Sequence, residues 1–203
     1  MLLKLFEDGP DDREVFKVAE VLRRGGVIIY PTDTVYAIGC DINQPKAVQR
    51  VAALKGIKPE KANFSIICPD LGNLSIYAKV SNPVFKVMKR NLPGPFTFIL
   101  PATGKLPGIL QNKRKTVGIR VPDSEIARAL ARELGNPLLT TSVHDDDEVV
   151  EYTTDPELIH ERYEHRVDLV IDGGYGQNTA SAVVDCTGSE IIVLREGIRE
   201  LLL

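Results

Sequence analysis

The chain has 203 residues, with 25 Lys and Arg, 28 Asp and Glu and 3 His, for a formal net charge of −3. Hydrophobic residues make up 43% and charged residues 26%, globular proportions that exclude intrinsic disorder, collagen-like repeats and coiled coil. The longest apolar runs fall well short of the ~20 residues that span a bilayer, and the opening MLLKLFEDGPDD lacks the apolar stretch and small-residue cleavage site of a signal peptide.

In chain order, Asp11 or Asp12 is placed to cap a helix whose Val15, Val18, Ala19 and Leu22 form a buried stripe, with Gly25-Gly26 ending it. VIIYP (27–31) reads as a buried strand, and a second strand is expected over 35–40. Pro45 opens a helix to about Leu54, and 64–68 is a strand. A helix from Asn82 or Pro83 closes at Pro93-Gly94-Pro95, followed by strands at 96–100 and 116–121. Pro122 and Asp123 are expected to start a helix carrying Ile126, Leu130 and Leu134, stopped by Gly135. A strand at 138–142, a helix from Asp155-Pro156, a strand at 167–171 and paired strands at 181–185 and 191–194 complete the pattern. This alternation predicts an α/β sheet covered by helices.

Charge is unevenly spread. From Arg50 to Arg120 thirteen Lys and Arg face two acids, a net +11, while 145–172 carries a net −9. The basic block would attract a polyanion or nucleotide phosphates, or it is solvated surface. The acidic stretch 143–154 is the candidate mobile loop. Cys40, Cys68 and Cys186 lie far apart with no CxxC pair, which predicts reduced, mostly buried thiols in a cytoplasmic protein. His144, His160 and His165 have no Cys or His at zinc-like spacing.

Several segments place polar groups at strand ends, where open α/β sheets bind ligands. In PTDTVYAIGC, Thr32, Asp33, Thr34 and Tyr36 form either such a site or a turn tied by its own hydroxyls. KGIKPEK sets Lys55, Lys58 and Lys61 in a Gly/Pro loop without P-loop spacing, as phosphate binders or as solvated charge. In TVGIR, period two puts Thr116, Gly118 and Arg120 on one face. A charged Arg120 in a covered sheet needs a partner, either an anionic ligand or a structural Asp or Glu. LLTTSVH ends a strand in Thr140, Thr141, Ser142 and His144, but no GxSxG elbow accompanies them, which argues against a hydrolase. Ser181 and Arg195 flank the last strands.

Taken in order, GGVIIYPTDTVYAIGC, KGIKP, PGPFTFIL, TVGIRVP, LLTTS, SAVVD and LREG resemble the YrdC/Sua5/YciO family from about Val18 to Gly197. NFSIIC, GIRVP and the TTS segment are most similar to the YciO branch. The resemblance implies a YrdC-like twisted mixed α/β sheet with flanking helices and a concave, positively charged cavity, as a single domain over 1–203 without the C-terminal domain of longer Sua5 members. It implies L-threonylcarbamoyladenylate synthase activity: threonine, bicarbonate and ATP, carrying Mg²⁺ as substrate, give threonylcarbamoyl-AMP and pyrophosphate for N6-threonylcarbamoyladenosine at position 37 of tRNA. No protein-ligated metal, nucleophilic residue or membrane contact is implied. Threonine would be held by Thr34, Arg120, Thr140 and Ser181, and the nucleotide and its phosphates by Lys55, Lys58, Thr116, Ser142 and Arg195. Double-stranded RNA, tRNA or the partner proteins of tRNA modification are further expected ligands.

Four positions depart from the family pattern: Ile57 and Lys58 follow Lys55 where a KxR arginine is usual, SxN reads Ser142-Val143-His144, Cys68 stands where a His is common, and Ala37 replaces a glycine. These changes imply the alternative of a YciO-type RNA- or nucleotide-binding paralogue with weak or no synthase activity.

Overall fold

The structure is a computed structural model describing residues 1–62, 64–143 and 153–203. Its helices follow their sequence signals. In α1 (Asp12–Arg23) the Asp11 carboxylate accepts the Arg13 and Glu14 amides at 2.9 and 3.2 Å, and the predicted stripe is buried. Such a cap stabilises a helix by about 1 kcal/mol. Helix α2 (Pro45–Leu54) starts on its proline, α3 (Leu74–Tyr77) is a single turn, and α4 (Asn82–Asn91) buries Val84, Val87 and Met88. Helix α5 (Glu125–Leu134) begins later than the sequence predicts. The Asp123 amide is donated to Asp33 Oδ2 at 2.9 Å, so Ser124 caps the helix, and Gly135 ends it at φ +79°. Helix α6 (Pro156–Tyr163) is capped by Asp155.

The strands are β1 (Leu2–Lys4), β2 (Val27–Tyr30), β3 (Ala37–Asp41), β4 (Ser65–Ile67), β5 (Phe96–Pro101), β6 (Thr116–Arg120), β7 (Leu138–Ser142), β8 (Leu169–Asp172), β9 (Ala182–Asp185) and β10 (Ile192–Arg195). They form one mixed sheet in the order β1-β8-β2-β3-β7-β4-β6-β5-β9-β10. The unexpected β1 is three residues long, too short to show a period, and pairs in parallel with β8. Two single-turn 3₁₀ segments, 59–61 and 108–110, were also not expected.

The two faces of the sheet differ. One carries Ile29, Ile38, Cys40, Ile66, Leu139, Val117, Ile119, Phe96 and Phe98 and is sealed by α2, α4 and α6. On the other, α1 and α5 cover Ile28, Tyr30, Ala37, Ile67 and Leu138. Along β7, β4, β6 and β5 this second face changes character. Register aligns Gly39, Thr140, Ser65, Gly118 and Ile99 across five neighbouring strands, a row of mostly small or hydroxylated residues.

Candidate functional site

The arginine of TVGIR lies on this hydroxyl-rich face. Arg120 is 7% exposed, and its Nη2 donates to Thr34 Oγ1 at 2.9 Å and Asp33 Oδ1 at 3.1 Å. Both partners come from the loop between β2 and β3, which folds back to meet it. Arg120 therefore has the structural carboxylate partner that the sequence left as one of two options. The ion pair is buried on both sides, so removing either charge would strand the other.

Hydroxyl directions in the loop follow from donor and acceptor inventory. Arginine only donates, so Thr34 Oγ1 accepts from it. Thr32 Oγ1 donates to the Val35 carbonyl at 2.8 Å, which leaves Thr34 to donate across the 3.0 Å contact between the two hydroxyls. The proton order runs from Arg120 through Thr34 and Thr32 to the backbone. The segment after β8 holds the loop from above: Tyr36 Oη donates to Gly174 O at 2.7 Å, the Gly173 amide donates back at 3.1 Å, and the Gln177 amide donates to Thr34 O at 3.2 Å. Burial, the largest effect, pushes the Tyr36 phenol well up, so it stays protonated and able to donate.

Thr140 stands on the floor beside this group, 2% exposed, with Oγ1 completely buried next to the Tyr30 phenol. Its neighbour Ser65 faces Gly118, where an added Cβ would sit 2.4 Å from Ser65 Oγ and 3.2 Å from Thr97 Cγ2. The glycine keeps the floor low. Ser181 is joined to this floor through Thr97, with 2.8 Å between the hydroxyls. Arg195, expected at the nucleotide, donates its Nε and Nη2 to the Ser181 carbonyl at 3.1 and 2.9 Å. Thr116 shares the face of Gly118 and Arg120, and its hydroxyl accepts Asn112 Nδ2 at 3.1 Å. Ser142 is half-buried on the Thr140 side of β7.

Lys55 and Lys58 sit in the segment between α2 and β4. Lys55 ends α2, and Lys58 precedes the 3₁₀ turn at 59–61. Because β4 and β6 run parallel with Ser65 opposite Gly118, the loops entering them lie side by side. The lysine-bearing segments 55–61 and 105–115 thus lie at the same end of two central strands. An open cavity of about 530 Å³ lies here, lined by Lys58 with Gln49, Ile57, Ile109 and Gln111 among others, and by no other predicted site residue.

Cys68, standing where the family often has a His, is buried, and burial followed by the charge of Asp70 pushes its thiol up to about 12. It is a neutral, inert side chain rather than a nucleophile. Among the described residues no group of three or more His, Cys, Asp or Glu is placed to hold a metal ion, and no helix is long and apolar enough to cross a membrane. His144, Asn63 and most of the predicted acidic loop lie outside the described residues. Sequence reasoning noted Asp33 only as part of a polar cluster, and it missed Tyr30, Ser65 and Thr97. Tyr30 closes an apolar run, and nothing local separates it from core.

A mixed sheet with one apolar, helix-covered face and one hydroxyl-lined face around a buried arginine defines an α/β protein with a candidate site on that second face. Residues 20–197 match the Sua5/YciO/YrdC family model, described as "Telomere recombination", and the chain belongs to that family. It is 43% identical to YciO of Escherichia coli K12 over 196 residues, 96% of this chain and 94% of that one. The crystal structure of E. coli YciO matches with a TM-score of 0.91 over 98% of this chain and 97% of that one, at 41% identity. The threonylcarbamoyl-AMP synthase of Halorhodospira halophila is 35% identical over 127 residues, 62% of this chain and 66% of the synthase. The crystal structure of P. abyssi Sua5 complexed with L-threonine matches with a TM-score of 0.87 at 26% identity, covering 97% of this chain and 57% of Sua5.

Proposed function

We propose that the protein binds L-threonine at Arg120 and makes threonylcarbamoyl-AMP from threonine, bicarbonate and ATP, for use in tRNA modification. The observation that carries this reading is the buried Arg120–Thr34 contact on a hydroxyl-lined sheet face, in a fold shared with a Sua5 that holds L-threonine. The threonine amine and bicarbonate form a carbamate and release water. The carbamate oxygen then bonds to the α-phosphorus, and the bond to pyrophosphate breaks. No side chain need become covalently attached.

In this reading Arg120 neutralises the amino-acid carboxylate, with Thr34, Thr140 and Ser181 lining the same end. Lys55 and Lys58 supply charge to the phosphates, whose magnesium arrives with ATP, and Thr116 and Ser142 line the nucleotide end. The chain contributes proximity and fixed charge. Arg195 acts at one remove, by fixing the Ser181 backbone. The test is pyrophosphate release in the presence of ATP, bicarbonate and threonine. Threonine-dependent release is expected, and release no greater than that of an Arg120→Ala control overturns the reading.

The adjacent basic loops favour a second reading, RNA binding along the Lys55–Lys61 and Lys113–Lys115 edge. Affinity for tRNA falling steeply with salt supports it. Absent or salt-insensitive binding removes it.

A further inference from the structure

Three side-chain atoms around Arg120 are completely buried and poorly satisfied: Tyr30 Oη and Thr140 Oγ1 have at most each other as partners, and Arg120 Nε has none. Such groups are costly unless something completes them. The fold goes to some length to set the phenol there. Tyr30 is 0% exposed, and its ring lies over Gly39, where an added Cβ would be 2.7 Å from Cε1 and 3.2 Å from Oη. Gly39 in turn pairs with Thr140, which brings the Tyr30 hydroxyl to the Thr140 strand. Burial raises the Tyr30 pKa, while the Thr140 hydroxyl and then the Arg120 charge oppose that rise, so both groups act on the phenol. The Tyr30 ring belongs to the apolar cluster under α1 and α5, while its hydroxyl has Thr140 and Arg120 as polar neighbours.

We infer that Tyr30 is a specificity-determining residue of the amino-acid site, its hydroxyl joining Thr140 Oγ1 and Arg120 Nε around one oxygen of the ligand's carboxylate. Donor chemistry fits this occupant. Arg120 Nε only donates, both hydroxyls can donate, and a carboxylate oxygen only accepts. Arg120 already commits Nη2 to Asp33 and Thr34, which leaves Nε and Nη1, with the neighbouring hydroxyls, to meet a second carboxylate. The inference rests on the proposed binding of threonine and adds a residue that sequence reasoning reads as core.

The test is Tyr30→Phe in the full chain, measured by calorimetric titration with L-threonine and with the neutral L-threonine amide, alongside the melting temperature without ligand. The variant is expected to bind L-threonine roughly tenfold more weakly, as befits one lost hydrogen bond to a charged group. Its affinity for the amide should match that of the wild type, and its ligand-free melting temperature should be unchanged or higher. Threonine affinity within twofold of wild type overturns the inference. If that kept affinity comes with a lower ligand-free melting temperature, the three atoms serve a resident water instead. Should Tyr30→Phe lose both stability and affinity, Thr140→Val decides: weakened threonine binding by a stable variant supports the inference, and retained binding refutes it. A wild type that binds no threonine overturns the amino-acid reading itself, and this inference with it. Wild-type binding with an equally good Tyr30→Phe overturns this one alone.

Discussion

Two regions of the same sheet face are built on opposite principles. Toward β2 and β8, α1 and α5 close over Ile28, Ala37, Ile67, Leu138 and Leu169, and apolar burial supplies the stability. A few ångströms along the strands, across β7, β4 and β6, the same face carries Thr140, Ser65 and Gly118, with a buried cation at its margin. Such a region contributes little hydrophobic energy and carries buried polar groups that nothing in the chain completes. The contrast teaches where the fold stops serving itself. Polar surface inside a covered sheet is costly, which is why the proposed amino-acid site is put on this face and not on the apolar one.

The comparison breaks most easily at its boundary, Arg120. Replacing it with alanine should abolish threonine-dependent pyrophosphate release and also destabilise the protein by about 3–5 kcal/mol, because Asp33 is left buried and unpaired. Adding Asp33→Asn should recover part of the stability and none of the activity. Urea denaturation of the single and double variants reads the first effect, and an undiminished urea midpoint in Arg120→Ala would mean that the pair is not a buried ion pair in solution.

A paired truncation sharpens the contrast at smaller amplitude. Ile119→Ala, on the sealed face at 0% exposure, should cost about 2–5 kcal/mol, while Ser65→Ala on the floor should stay within about 0.5 kcal/mol. Equal losses, measured by the same denaturation, would show that the floor is ordinary core.

The smallest effect is in pH. Cys40 and Cys68 are buried on the sealed side, and burial raises both thiols from an ordinary 9.0 to about 12. The folded state therefore keeps protons that the unfolded state has lost. Their stabilisation is fully present below pH 9 and declines as pH rises toward 12. The buried phenols of Tyr30 and Tyr36 act in the same direction above pH 10. Urea midpoints between pH 8 and 11 should fall, and Cys68→Ala should flatten the fall.

What could be read from the sequence was what is local. The α1 stripe, the proline start of α2 and the period-two face of Thr116, Gly118 and Arg120 all rest on neighbours a few residues apart, and the structure reproduces them. The linear pattern also singled out Thr34 and Arg120, which the structure brings into contact. It did not reveal that Asp33, 87 positions from Arg120, is its carboxylate partner, because only tertiary folding sets that distance. The same holds for Arg195, whose guanidinium is committed to a backbone carbonyl, and for Lys58, which lines a cavity shared with none of the other predicted residues. The Asp33–Asp123 contact explains the late start of α5 as well. An amide needed at the site is withheld from the helix.

These two locations, the Arg120 floor and the cavity at Lys58, give the most direct test. A crystal structure of the protein with L-threonine should place the amino-acid carboxylate within hydrogen-bond distance of Arg120, against Thr34 and Thr140. Threonine found in the cavity beside Lys58 and Ile109, or no bound threonine at saturating concentration, would contradict the account.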